Sequence, residues 1–237
     1  MNPTFKEILT EYYSLYRGQG TSVPAYGRDR EYATAVNAAN NAIRKWSRAD
    51  NIIWKELVTT AVINGSTITI ASSTYSYDCP TNMDSYGAFI AIIDGNNTQY
   101  VQVIEPHQLL DDTQGDYACF FGDPNNGYSL KLSSQLVANN IGRTIDFVYI
   151  KKPTLLPTDA TADNILVEMS DVNYLIQAML RSRYTTAKNG FGVSIANKDA
   201  DDALINMKTR NNMGFYGRQD KIQGGNLSWG TFIAGGI

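Results

Sequence analysis

Apolar residues recur at steps of three and four along the first stretch of the chain: Phe5, Ile8, Leu9, Tyr12, Leu15 and Tyr16. That spacing predicts an amphipathic helix. Asn2 stands as its N-cap, Pro3 as its first helical residue, and Gly18 and Gly20 as its end. A second stripe, Tyr32, Val36, Ala39, Ile43 and Trp46, predicts another helix, capped by Asp29. Ala33, Ala35, Ala38, Ala39 and Ala42 make its seam small, so that a neighbouring helix can approach closely.

After Trp54 the period falls to two. Residues 56–63 and 67–71, joined by Asn64-Gly65, read as a hairpin with a type I′ turn. Residues 74–78 form a short strand ending before Pro80, residues 88–93 an apolar run stopped at Asp94-Gly95, and residues 99–104 a further strand. Residues 117–121 and 128–132 flank a turn at Asp123-Pro124-Asn125-Asn126-Gly127, and residues 144–150 close the block. Short strands at this spacing predict a sandwich or barrel. A loop carrying Pro153 and Pro157 follows. Ile165, Met169, Val172, Ile176, Met179 and Tyr184 then predict a long helix, stopped by Gly190 and Gly192. A shorter helix is expected at about residues 197–210, from Ala200, Ala203, Leu204 and Met207.

The last 25 residues, 213–237, break the pattern. Seven glycines alternate with Phe215, Tyr216, Ile222, Leu227, Trp229, Phe232, Ile233 and Ile237. A solvated linker is rich in serine and charge instead. Glycine raises the entropic cost of ordering such a stretch, and the few large side chains gain by burial only if a surface receives them. The stretch is therefore expected to be an extended arm that needs a partner surface. The expected fold class is α+β: a helical bundle from the N- and C-terminal helices (1–54 and 153–212), an inserted antiparallel β-sandwich or barrel (55–152), and the C-terminal arm (213–237).

Composition narrows the function classes. At 237 residues the chain is long enough for one sizeable core or two small ones. The net charge of −3 argues against a basic nucleic-acid binder, and residues 55–152 hold the imbalance, with 5 basic and 10 acidic groups. Fifteen tyrosines suit interfaces, since each offers an apolar ring and a hydroxyl. Cys79 and Cys119 are too few for a disulfide framework, which suggests a reducing compartment. The first residues have no signal-peptide pattern, and no apolar run reaches membrane-spanning length, so a soluble, membrane-free intracellular product, or one released by lysis, is expected.

Candidate chemistry is thin. His107 is the single histidine, and a catalytic role for it needs a partner that sequence does not supply. One histidine and two distant cysteines do not make a zinc site. Asp111-Asp112 and the group Asp199, Asp201 and Asp202 lack the spacing of a calcium loop, and the second group suits a helix N-terminus. Gly190-Phe191-Gly192 is no phosphate loop. Arg44, Lys45 and Arg48, and likewise Arg181, Arg183 and Lys188, fit solvated helix ends. No catalytic, metal or cofactor residues are therefore assigned, and no enzyme activity is expected.

Three stretches, in order, resemble a known family. The first is AVNAANNAIRKW with NIIWKELVTTAVINGSTITIASSTYSYDCP. The second is YSLKLSSQ with TIDFVYIKKPTLLPTDATADNIL, and the third MSDVNYLIQAMLRSRYTTA. Over about residues 30–190 this order resembles the head-to-tail adaptor, or connector, proteins of short-tailed bacteriophages. The resemblance implies a structural virion protein in the neck, assembled as a dodecameric ring beneath the portal protein. It implies docking of tail or nozzle proteins and a lumen through which DNA passes. Phe215, Tyr216, Leu227, Trp229, Phe232, Ile233 and Ile237 are then the expected contacts to the portal or a neighbouring subunit. Two other classes stand beside it. One is a carbohydrate- or peptide-binding β module using Tyr75, Tyr77, Tyr86 and Tyr100. The other is a cell-wall hydrolase of the virion neck using His107 or carboxylates.

Overall fold

A computed structural model describes residues 2–18, 30–49, 52–61, 68–110 and 115–219. The protein is mixed α+β, with five α-helices among the described residues and antiparallel pairing between its strands. Two compact units emerge: one holds the chain up to Glu56 and again from Pro153, the other Leu57–Lys152.

The first unit contains α1 (Phe5–Arg17), α2 (Arg30–Ser47), α4 (Val172–Thr186) and α5 (Gly190–Gln219). α4 packs against all three of the others. It buries Tyr174, Leu175, Ile176, Ala178, Met179 and Leu180, a wider face than a helix touching one neighbour needs. α1 begins two residues later than the Asn2-Pro3 pair suggests. Thr4 is the N-cap: its hydroxyl accepts from Glu7 N–H, and the Glu7 carboxylate accepts from Thr4 N–H at 2.7 Å. Pro3 instead offers its carbonyl to Val167 N–H, at 3.1 Å. The predicted cap of α2, Asp29, lies outside the described residues.

α4 starts at Val172 rather than near Ile165, because Asp171 caps it by accepting from Asn173 N–H at 3.0 Å. The preceding segment is extended: Leu166 is exposed, Val167 buried, Glu168 half-buried and Met169 buried. Its apolar side chains fall by chance on the helical spacing of α4. The two glycines expected to stop that helix open the next one. Lys188, at φ 54°, turns the chain after α4, and Asn189 accepts from Gly192 N–H at 3.0 Å as the cap of α5. α5 therefore runs for 30 residues instead of the shorter span centred on Ala200–Met207.

The second unit, Leu57–Lys152, carries ten strands and α3 (Ser134–Asn139) among its described residues. β1 (Val58–Thr60), β10 (Val148–Lys151) and β4 (Met83–Tyr86) form one sheet in the order β1-β10-β4. A second runs β2-β9-β5-β6, from β2 (Ile68–Thr69), β9 (Thr144–Asp146), β5 (Phe89–Asp94) and β6 (Asn97–Gln102). The third is β3-β8-β7, from β3 (Ser76–Asp78), β8 (Gly127–Leu132) and β7 (Ala118–Asp123). All three share one core that includes Ile70, Met83, Ile90, Ile92, Phe120, Leu130, Leu136 and Phe147.

Two pairings differ from the expected ones. Among the described residues β1 and β2 do not pair with each other, as the hairpin around Asn64-Gly65 would require. β1 pairs with β10, β2 pairs with β9, and the turn itself lies outside the described residues. The non-local pairing buries Ala61, Ile68 and Ile70 in the shared core. Residues 144–150, expected as one strand, divide at Phe147, which is buried and hands the chain from one sheet to the next. The β7–β8 hairpin forms as its turn residues predict, and β5 and β6 also pair as a hairpin, across Gly95-Asn96. α3 escaped the sequence pattern, although Ser133 caps it through Leu136 N–H at 3.1 Å.

Candidate functional site

Side chains with catalytic potential are dispersed. His107 is exposed on a single 3-10 turn, Pro106–Leu110. Cys79 and Cys119 are buried and free. Burial pushes the Cys79 thiol up to about 12 and raises that of Cys119, so neither offers a thiolate near neutral pH. Among the described residues no three His, Cys, Asp or Glu side chains come together as a metal site would need. Asp111 and Asp112 lie outside those residues. Asp199, Asp201 and Asp202 do not sit at a helix N-terminus, since α5 begins more than two turns earlier. Asp201 and Asp202 are exposed on the body of the helix, and Asp199 is half-buried.

The four tyrosines of the β-module reading separate. The Tyr86 ring stacks on Phe120 at 4.4 Å and meets Tyr128 edge-on at 5.6 Å. The Tyr77 hydroxyl accepts from Ala71 N–H and donates to the Thr74 carbonyl, each at 3.1 Å. Tyr75 and Tyr100 remain exposed, Tyr75 just before β3 and Tyr100 on β6 of a different sheet. Beside Tyr100 a hollow of about 110 Å³ is lined by Phe89, Asp146 and Phe147. Ligand pockets typically measure about 300 Å³ or more.

The basic groups expected at solvated helix ends also divide. Arg44, Lys45 and Arg48 are exposed. Arg183 instead donates to Glu31 at 3.0 Å while lying 5.1 Å from the centre of the Tyr16 ring. Arg17 reaches the other oxygen of the same Glu31 carboxylate and lies over Tyr13. Glu31 thus joins α1 to α4 from α2. Arg181 donates to Asn197 Oδ1 at 3.3 Å, tying α4 to α5.

Three of the exposed large apolar residues among the described ones lie on α5. One face of this helix is made of Gly192, Ala196, Ala200, Ala203 and Met207, all buried. Small side chains let it lie close to α4, and Gly192 closest of all: a Cβ there would stand 2.8 Å from Cγ of Tyr184. The opposite face carries Phe191, 78% exposed, Ile195, 46%, and Ile205, 56%. Most exposed large apolar residues of a protein are scattered singly. These three recur at helical spacing on one element.

Of the seven expected partner contacts, Phe215 and Tyr216 fall on the last turns of α5, not on an extended arm. Helix propagation gains a hydrogen bond for each residue fixed, and Gly214 and Gly217 cost only about 1 kcal/mol each against alanine. The arm's expected start at Met213 is thus helical through Gln219. Leu227, Trp229, Phe232, Ile233 and Ile237 lie outside the described residues. Sequence reasoning missed the outward row on α5 because it split that helix at its glycines. The 191–195 and 202–205 spacing was the available signal. No protein-family model matches the chain, and no curated protein matches its sequence.

Proposed function

We propose that the chain is a structural component of a tailed-bacteriophage virion, a head-to-tail adaptor that assembles as a ring between the portal protein and the tail. The four long helices would form a bundle, and the strands of Leu57–Lys152 an inserted barrel or sandwich. DNA would pass through the lumen, past a chain of slightly negative net charge that does not grip it. Tail or nozzle proteins would dock on the face away from the portal.

The order of the elements carries the reading: two helices, a block of short strands, then two helices of which the last leads into an apolar, glycine-rich end. That is the order on which the resemblance to adaptors rests. An apolar segment at the end of a rigid 30-residue helix suits capture by a groove on another protein. The glycines let its backbone lie close to the partner, and Trp229, Phe232 and Ile233 supply the large side chains that dominate such contacts.

Truncation tests the proposal. A chain ending at Gln219 keeps every element of the described fold and loses the five outermost expected contacts. In co-sedimentation with portal rings from the same genome, it should bind about 100-fold more weakly than the full chain, with an unchanged circular-dichroism spectrum. Equal binding by the two would remove the terminal segment from the portal contact.

A further inference from the structure

The outward seam of α5 reads, in steps of four and three, Phe191, Ile195, Lys198, Asp202, Ile205 and Thr209. All six are exposed. Neither Lys198 nor Asp202 takes part in an ion pair among the described residues. The steps are those of a and d positions in a helix-pairing repeat. The row is also symmetric about Ala200. Lys198 and Asp202 stand two residues on either side, Ile195 and Ile205 five, and Phe191 and Thr209 nine.

We propose that α5 pairs antiparallel with α5 of a second copy of this chain. Reversing the helix about Ala200 sets Lys198 against Asp202 of the second copy, Ile195 against its Ile205, and Phe191 against its Thr209. Each contact occurs twice, as a two-fold axis requires. Asp199 and Asp201 flank the seam on its two sides, so each Lys198 enters an acidic surrounding. Parallel pairing would set lysine on lysine and aspartate on aspartate, which repel. The charge pattern therefore fixes both the occupant and its direction. A two-fold pair is isologous, whereas the contacts of a ring are head-to-tail, so this pairing is separate from the ring and does not rest on it.

Sedimentation velocity on the full chain, without portal, tests the pairing. The wild type should sediment as a dimer at tens of micromolar. Ile205→Glu should weaken dimerisation about 100-fold, since it removes two apolar contacts and adds two buried charges. Lys198→Glu alone should weaken it about tenfold, and adding Asp202→Lys should restore it. All these positions are exposed, so the variants keep the wild-type circular dichroism. A wild type that stays monomeric, a dimer indifferent to Ile205→Glu, or a double charge swap that restores nothing would overturn the proposal. So would loss of the dimer in the chain ending at Gln219, which would make the terminal segment the contact instead.

Discussion

Two buried asparagines do in this fold what no apolar residue could. Asn40 on α2 donates to the Leu156 carbonyl at 2.9 Å and accepts from Leu156 N–H at 2.8 Å. Asn211 on α5 repeats the device: it donates to the Ile53 carbonyl at 2.9 Å and accepts from Lys55 N–H at 3.1 Å. Each satisfies both polar groups of an irregular stretch that has no ladder of its own. Asn40→Leu keeps the branched shape of the side chain and leaves two backbone groups of Leu156 unpaired. Urea unfolding should show a loss of about 3 kcal/mol. Neither asparagine is distinguishable in the sequence from the exposed Asn41 or Asn206 near it, because its partner lies more than a hundred residues away. Asp146 shows a different single-residue effect. Burial raises its carboxyl above the usual range, partly opposed by a hydrogen bond from Phe147 N–H. The folded state then holds that proton more tightly than the unfolded state. Stability falls as pH rises from the unfolded pKa through the folded one, and stays lower above it. Asp146→Asn should therefore raise Tm at pH 7 and change it little at pH 3, in paired thermal scans.

At the scale of elements, α5 shows where sequence patterning succeeds and where it breaks down. The alanine and methionine spacing of its buried face predicted a helix over its middle, and the helix is there. Its first turn was misplaced because Gly190 and Gly192 look like a stop, whereas Asn189 caps a new helix and Gly192 answers to the Tyr184 ring. The two glycines should part company on substitution. Gly190 has open space around its Cβ position, so Gly190→Ala should stabilise by up to about 1 kcal/mol. Gly192→Ala forces a methyl against Tyr184 and should cost about 1–3 kcal/mol. Differential scanning calorimetry of the two variants checks the sign of each. Local hairpins were legible from turn chemistry, as in β7–β8, where Asp123 accepts from both Asn125 N–H and Asn126 N–H. Pairings between distant segments were not. Which strand lies beside β1 is decided by burial of Ala61 and Ile68 in a core assembled from three sheets, and no local signal encodes that.

For the whole molecule, the mixed α+β class followed from the change of period after Trp54 and its return after Pro157. The described residues hold no helix long and apolar enough to cross a membrane. The functional proposals rest on features that the period does not describe: an exposed seam on α5 and a terminal stretch of glycines and large apolar residues. The two-fold pairing of the first stands apart from any ring, and the adaptor reading rests on the second, as a contact to the portal. Its most direct test is negative-stain imaging of the full-length protein, alone and mixed with portal rings from the same genome. The account predicts an added ring of density with the portal's rotational symmetry, coaxial with its channel. Portal rings that remain bare at saturating protein would contradict it.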